Sequence, residues 1–311
     1  MVTLGFIVAD NDPAAIAGSI TRMGGRLGLL IAFPAVLVAW FDALGWRYAF
    51  NRDQVPLGRL LWIRLAGEAF NLTTPTAALG GEAVKTWLLR DRVSVSEALS
   101  SVIVAKTTIT IAQGLLLLVG VVLAWTTLAP DSRLLIAMQW LLALELLALA
   151  IFVLAQTRGL AAFGGRVLAR LGARRFERHA GLGHVDRALA GFYLRQPGRL
   201  GLSIGFHFAA WLLGAVETWM ILWFLGSPVS LVTATVIEAF GTGIRFATFL
   251  IPGSLGALEG GYAATFSALG LGGTLGVTFS LVRRVREIVW IALGLVAFAV
   301  LRLPRPPDPS R

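Results

Sequence analysis

From Leu134 to Ala155 the chain runs for 22 residues with a single ionisable side chain, Glu145. About 20 apolar residues in a helix span the roughly 30 Å hydrocarbon core of a bilayer, so this stretch reads as a membrane helix. Similar runs cover Arg26 to Trp46, Ala98 to Thr127, Gly201 to Leu225 and Thr274 to Leu303. With 57% hydrophobic and only 14% charged residues, the 311-residue chain is expected to be all-α and polytopic, holding about seven or eight apolar segments in one integral membrane domain over 1–311. There is no cysteine, which excludes disulfides, thiolate metal sites and a cysteine nucleophile. His179, His184 and His207 are too few and too scattered for a histidine metal site, and no cofactor is expected. MVTLGFIVAD lacks the positive n-region of a secretory signal and is too short to span.

The net charge of +10 is concentrated in one place. Between Gln156 and Arg199 nine arginines face only Glu177 and Asp186, an excess of seven positive charges. Arginine between membrane helices marks the cytoplasmic side, and a basic amphipathic surface helix there could also meet anionic headgroups. Nucleic acid need not be invoked. With this loop 156–199 as anchor, Ala98 to Thr127 runs outward, Leu134 to Ala155 inward, Gly201 to Leu225 outward and Thr274 to Leu303 inward, leaving a cytoplasmic C-terminus that carries Arg302, Arg305 and Arg311. Trp46, Trp62, Trp87 and Trp125 fall near span boundaries, where aromatic belts form.

Two apolar segments are broken. Residues 55–92 carry PTAALGG at their middle and residues 229–271 carry PGSLGALEGG. Proline removes a backbone donor and glycine loosens a helix, and such breaks at membrane depth survive only inside protein or beside water. Each segment is therefore expected to be a re-entrant hairpin of half-helices, the two meeting near the midplane. Pro75, Glu82 and Lys106 stand at intervals of 7 and 24, as do Pro252, Glu259 and Arg283, an offset of 177 throughout. The chain is accordingly read as two inverted repeats, about 26–127 and 199–303, joined by a linking helix and basic cytoplasmic segment over 128–198. Inverted repeats with broken helices are the architecture of transporters.

PGSLGALEGGYAATFSALGLG and SLVRRVRE, with EAFNLTTPTAALGGEAVKTWLL upstream, resemble the flippase-like membrane family that includes the transmembrane half of lysylphosphatidylglycerol synthases. The run IEAFGTGIRFATFLIPGSLGALEGG…SLVRRVREIV resembles in particular the branch associated with hopanoid biosynthesis in bacteria. The resemblance implies a multipass inner-membrane protein that moves or handles a lipid. The soluble aminoacyl-transferase domain of the synthases is absent from these residues, so the synthase name implies no catalysis here. The family usually opens with a further apolar helix, of which residues 1–9 look like a stump.

Ionised side chains at the centre of a membrane helix cost about 2.5–3.5 kcal/mol each on insertion scales, so Glu68, Glu82, Lys106, Glu238, Arg245, Glu259, Arg283, Arg284, Arg286 and Glu287 are expected to face one another or water. With the breaks themselves (Pro75, Gly80, Gly81, Pro252, Gly253, Gly256, Gly260) and Asn71 they form the candidate substrate-binding or gating set. Glu82 and Glu259 can each cap the free amides of a second hairpin arm, and can also pair with Lys106 and Arg283 around a polar cavity. Glu287 alone cannot neutralise Arg283, Arg284 and Arg286, so Glu238, Glu259 or a phosphate must also serve. Those arginines are either an ion-pair knot or a phosphate site. Arg64 and Glu68, four apart, form a further candidate pair, whereas Asp42, Glu145 and Glu217 read as packing residues. GLSIG (201–205) matches a nucleophile-elbow pattern, but it opens a membrane span and has no triad.

The sequence thus predicts a lipid translocase acting on a hopanoid or anionic phospholipid, with no catalytic residue. A lipid-modifying membrane enzyme and a non-catalytic organiser of hopanoid synthesis are the alternatives. A second copy of the chain and hopanoid-synthesis enzymes are the protein partners this reading allows.

Overall fold

The computed structural model describes residues 18, 21, 23–74, 79–157 and 182–303, and every regular element in them is helical. In chain order these are α1 (Gly25–Tyr48), α2 (Leu57–Thr73), α3 (Leu79–Leu89), α4 (Val95–Thr127), α5 (Arg133–Thr157), α6 (Leu182–Arg195), α7 (Pro197–Phe224), α8 (Leu231–Ala247), a 3-10 turn (Pro252–Ser254), α9 (Ala257–Ala268) and α10 (Gly273–Leu301). Local chemistry sets several of these starts. Ser94 Oγ accepts from Glu97 N at 3.3 Å and Ser230 Oγ from Thr233 N at 3.0 Å, each capping a free amide in the first turn, and Pro197 opens α7 where its missing N–H costs nothing.

Four of these helices, α1, α4, α5 and α7, are long and apolar enough to cross a membrane. That is fewer than the seven or eight segments the sequence suggests, for two physical reasons. The 29-residue α10 is long enough but carries Arg283, Arg284, Arg286 and Glu287 in its middle. The two broken segments are hairpins, each with a 17-residue first arm (α2, α8) of about 26 Å and a second arm (α3, 11 residues; α9, 12 residues) only about 17 Å long. The arms of each hairpin are therefore unequal. Each second arm folds back along the first: Gly81 lies against Gly67 and Asn71, and Gly261 against Ile244.

The breaks differ in kind. The second hairpin turns through positive φ at Gly253 (57°) and Gly256 (82°), which glycine adopts without a Cβ penalty, and at Ser254 (51°), which does carry one. Pro75 and the rest of the first break, 75–78, lie outside the described residues. The 3-10 turn packs against α2, and Gly253 lies near the Leu72 carbonyl, so the tip of the second hairpin abuts the end of the first arm of the other.

Apolar residues gather at the two ends of the bundle. One cluster joins Leu116, Leu117 and Val121 of α4 to Ile221 of α7, Phe266 of α9 and Phe279 of α10; the other joins Trp46, Leu60, Ile63, Leu89 and Val102 to Leu189 and Phe192 of α6. Between them, along α4, α7 and α10, lie the buried polar residues Thr108, Gln113, His207, Glu217 and Arg283. Trp46, expected in an interfacial belt, is instead buried in the second cluster and donates from Nε1 to Ser101 Oγ at 3.4 Å, while Trp62, Trp87 and Trp125 are exposed. Its apolar ring and single donor fit that inner position. Within the basic segment, Val185, Leu189 and Phe192 form one buried face of α6 against α4, an amphipathic helix docked on the bundle.

The end bearing this segment is latched by Arg199. Its Nη2 donates to the Arg47 carbonyl and to Asp53 Oδ1, both at 2.8 Å, and its Nε to the Phe50 carbonyl at 2.7 Å. Asp53 also accepts from Arg47. The Arg47 hydrogen bond, with Arg199 beside it, holds the Asp53 carboxyl below the usual carboxylate range. A depressed folded value contributes stability above the unfolded one, about 3.9, and loses it as pH falls through the folded value. Asp53→Asn is therefore expected to lower the unfolding midpoint in detergent at pH 7, with the gap to wild type closing below about pH 4. Because the Asp53 side chain is 39% exposed, screening keeps the effect under about 1 kcal/mol. A gap independent of pH would show that charge plays no part.

Candidate functional site

The polar belt resolves into two clusters. The second hairpin and α10 build the tighter one. One turn of α10 carries Arg283, Arg284, Arg286 and Glu287, which a helix must fan in different directions because successive residues turn by about 100°. Arg283 Nη1 and Nη2 reach Glu238 of α8 at 2.5 and 3.1 Å, a bidentate fork, and Nη1 also donates to Tyr262 Oη at 3.1 Å. Thr218 Oγ1 of α7 donates to Glu238 Oε2 at 2.8 Å. Arg284 Nε reaches Glu259 at 2.8 Å and Nη1 reaches Glu287 at 2.7 Å. Arg245 of α8 pairs with Glu287 at 3.0 Å, and Arg286 pairs with Glu217 of α7. Four guanidiniums thus meet four carboxylates.

Glu259 does what its place predicts as a cap: its Oε2 accepts from Gly256 N at 2.7 Å at the start of α9. Its ionic partner is Arg284, correcting the expected Arg283, which points to Glu238 instead. Glu217 likewise proves to be an ion-pair partner, where the sequence reads as packing. Gly260 lies in the first turn of α9, with its amide bonded to the Gly256 carbonyl at 3.0 Å.

The first cluster is looser. Glu82 stands in the first turn of α3 and accepts from Lys85 Nζ at 3.1 Å on each oxygen and from Asn71 Nδ2 at 3.3 Å. Asn71 Oδ1 in turn accepts from Gly81 N at 2.8 Å, stitching the two arms next to Gly80. Lys85, rather than Lys106, is therefore the partner of Glu82, because it is one turn away on the same helix. Lys106 acts on Glu82 only across space; it is exposed and, among the described residues, has no carboxylate within ion-pair distance. Glu68 is half-buried and likewise without a partner among the described residues. Arg64, expected to pair with Glu68, turns to Asp42 of α1, whose Oδ1 lies 3.1 Å from His207 Nδ1 of α7. His207 lies flat on Gly45, which has no side chain to displace it, and Ser203 Oγ donates to the Gly45 carbonyl at 2.8 Å.

Among the described residues no group of three or more His, Asp or Glu side chains could hold a metal ion.

Residues 1–296 match the family described as lysylphosphatidylglycerol synthase TM region. The chain belongs to that family. It is also similar to a UPF0104 membrane protein of Methanothermobacter thermautotrophicus, 24% identical over 321 aligned residues covering 96% of this chain and 92% of the relative. No solved structure matches it. The protein is thus a multi-pass member of the synthase transmembrane-region family, built on broken helices around a charged belt. Lys85 is absent from the sequence-derived site candidates, Asp42 is read there as a packing residue, and Arg64 only as a partner of Glu68. Their signal was available, since each is an ionisable residue within or beside an apolar run.

Proposed function

We propose that this member of the synthase transmembrane-region family is a lipid translocase of the inner membrane, moving the headgroup of a phospholipid or hopanoid along the polar belt while the tails stay in hydrocarbon. The observation that carries the reading is the contrast between the clusters. In the second, every arginine is met by a carboxylate, which leaves no cation for a phosphate. In the first, Lys106 is exposed, Glu68 is half-buried, and neither has a partner among the described residues; Glu68 lies on α2, one turn before the Leu72 carbonyl that the tip of the second hairpin approaches. Unpaired charges at membrane depth need water or a polar ligand, and a headgroup supplies both signs of partner. Packing supports the two-repeat reading: α1 lies on its counterpart α7, while α2 lies on α10 as α8 lies on α4. The basic segment and the C-terminus are placed on the cytoplasmic side by the arginine distribution.

The test uses proteoliposomes holding phospholipid with a fluorescent headgroup, bleached from outside by an impermeant reductant. Wild type is expected to bleach beyond the outer-leaflet fraction. Lys106→Gln and Glu68→Gln should slow the excess about tenfold or more, the loss of one charge-assisted hydrogen bond of about 1.5–3 kcal/mol. Bleaching that stops at the outer leaflet in wild type, for phospholipid and hopanoid probes alike, would sink the reading in favour of an enzyme or organiser.

A further inference from the structure

Glu145 takes no part in either cluster. It sits at the middle of α5, the helix with the smallest buried share among the four apolar spans, yet its own side chain is 0% exposed. Neither carboxyl oxygen has a hydrogen-bond partner among the described residues. The inward stripe of α5 runs Met138, Leu142, Glu145, Leu149, Gln156 at helical spacing, so the carboxyl is aimed into the bundle and not toward lipid. It meets Gly114 of α4, whose bare backbone makes the room: a Cβ there would stand 3.7 Å from the carboxyl carbon.

The helices packed against α5 are α4, α6, α8 and α9. Besides His184 of α6, whose side chain lies outside the described residues, their titratable groups are Glu97 and Lys106, then Asp186, Arg187, Tyr193 and Arg195, then Glu238 and Arg245, and finally Glu259 and Tyr262. Among the described side chains none comes within hydrogen-bond or ion-pair distance of Glu145, and Arg133 is the other charged residue of α5 itself. A lone ionised carboxylate in such surroundings is far more costly than a neutral acid, and one carboxyl with no other ligand cannot hold a metal ion. The only small cation that suits it is a proton.

We propose that Glu145 is a proton-binding site, carried as the neutral acid between α4 and α5 and able to release its proton when those helices part. Polar groups continue along the same interface. Seven residues from Gly114, and so on the same face of α4, Thr107 accepts from Gln156 Nε2 at 3.1 Å, and Tyr193 Oη of α6 donates to Gln156 Oε1 at 2.6 Å. These three side chains lead from the α4–α5 contact toward the end of the bundle that bears the basic segment. On the translocase reading, protonation of Glu145 couples lipid movement to a proton gradient.

Infrared spectroscopy of the full chain in detergent tests the site whether or not lipid moves. Wild type at neutral pH is expected to show the C=O stretch of a protonated carboxylic acid in a dry setting, lost in Glu145→Gln. Spectra that coincide across about pH 5 to 9 would overturn the site. Glu145→Gln and Glu145→Leu should unfold at or above the wild-type midpoint, because no paired charge is lost; a fall in both would reveal a partnered carboxylate and overturn it too. In proteoliposomes an imposed proton gradient should accelerate wild-type movement, with the ratio of rates with and without gradient falling to about one in Glu145→Gln. Equal ratios in the two proteins would overturn the coupling. Absence of any wild-type movement would remove the translocase reading and leave the acid band to decide the site.

Discussion

Arg283→Ala is expected to cost about 3–5 kcal/mol of stability, because it strips Glu238, whose side chain is 2% exposed, of both arms of its fork and leaves a buried charge held by Thr218 alone. Tyr262 loses its partner in the same stroke. The protein should unfold at markedly lower temperature or denaturant in detergent, before any transport is assayed. A loss under about 1 kcal/mol would mean that water already screens the pair. The companion experiment is a double substitution, Arg283→Met with Glu238→Leu, which removes both charges. Replacing a whole buried ion pair by apolar side chains is often neutral or stabilising, so this variant should recover most of the stability. If it then moves lipid at the wild-type rate, the second cluster is a structural knot; if it is stable but inactive, the charges act in transport. Arg283→Ala alone cannot make that distinction, since it confuses loss of fold with loss of function.

The second large effect is steric. At Gly81 the two arms of the first hairpin approach so closely that a Cβ would fall on the Gly67 carbonyl oxygen, which is backbone, and on the Asn71 amide, which its hydrogen bonds to Gly81 and Glu82 hold in place. Gly81→Val must push α3 off α2, break the Asn71–Gly81 hydrogen bond and shift Glu82 from Lys85, for about 1–3 kcal/mol of overpacking with the lost hydrogen bond added. The better helix propensity of valine works the other way by only a few tenths of a kcal/mol, so the clash decides the sign. Gly205→Ala provides the contrast. It lies inside α7 with nothing near its Cβ position, and should gain up to about 1 kcal/mol. Equal effects at both positions would show that the hairpin arms are not in close contact. Small residues that let helix backbones approach are the general device of membrane packing, and Gly81 and Gly67 supply it here.

How far the sequence could be read is clearest on α10. That VRRVRE must be neutralised from other helices follows from counting charges and from the cost of leaving them bare. Which carboxylate meets which arginine depends on the rotation of α10 against α7, α8 and α9, and a step of one residue swings a side chain by about 100°. Hence spacing alone pairs Glu259 with Arg283, one position from its partner, and leaves out Glu217, which closes the cluster. The broken segments were legible because proline and glycine act locally; the unequal lengths of their arms were not, since apolar residues continue through both. Glu145 was hardest to read. The helix around it is apolar on every side, so no periodicity marks which face is buried, and a single carboxylate among leucines looks alike whether it faces lipid, protein or a second copy.

One consequence of the second cluster concerns voltage. A side chain that carries one elementary charge across a membrane gains or loses about 2.3 kcal/mol per 100 mV. Arg245, Arg283, Arg284 and Arg286 pair with Glu217, Glu238, Glu259 and Glu287 as a set with no net charge. If α7, α8, α9 and α10 rock together, the cluster they share therefore contributes almost no gating charge, and the membrane potential has little purchase on it. On the translocase reading, any electrical signature of turnover would then belong to the lipid or to a proton, and not to this cluster.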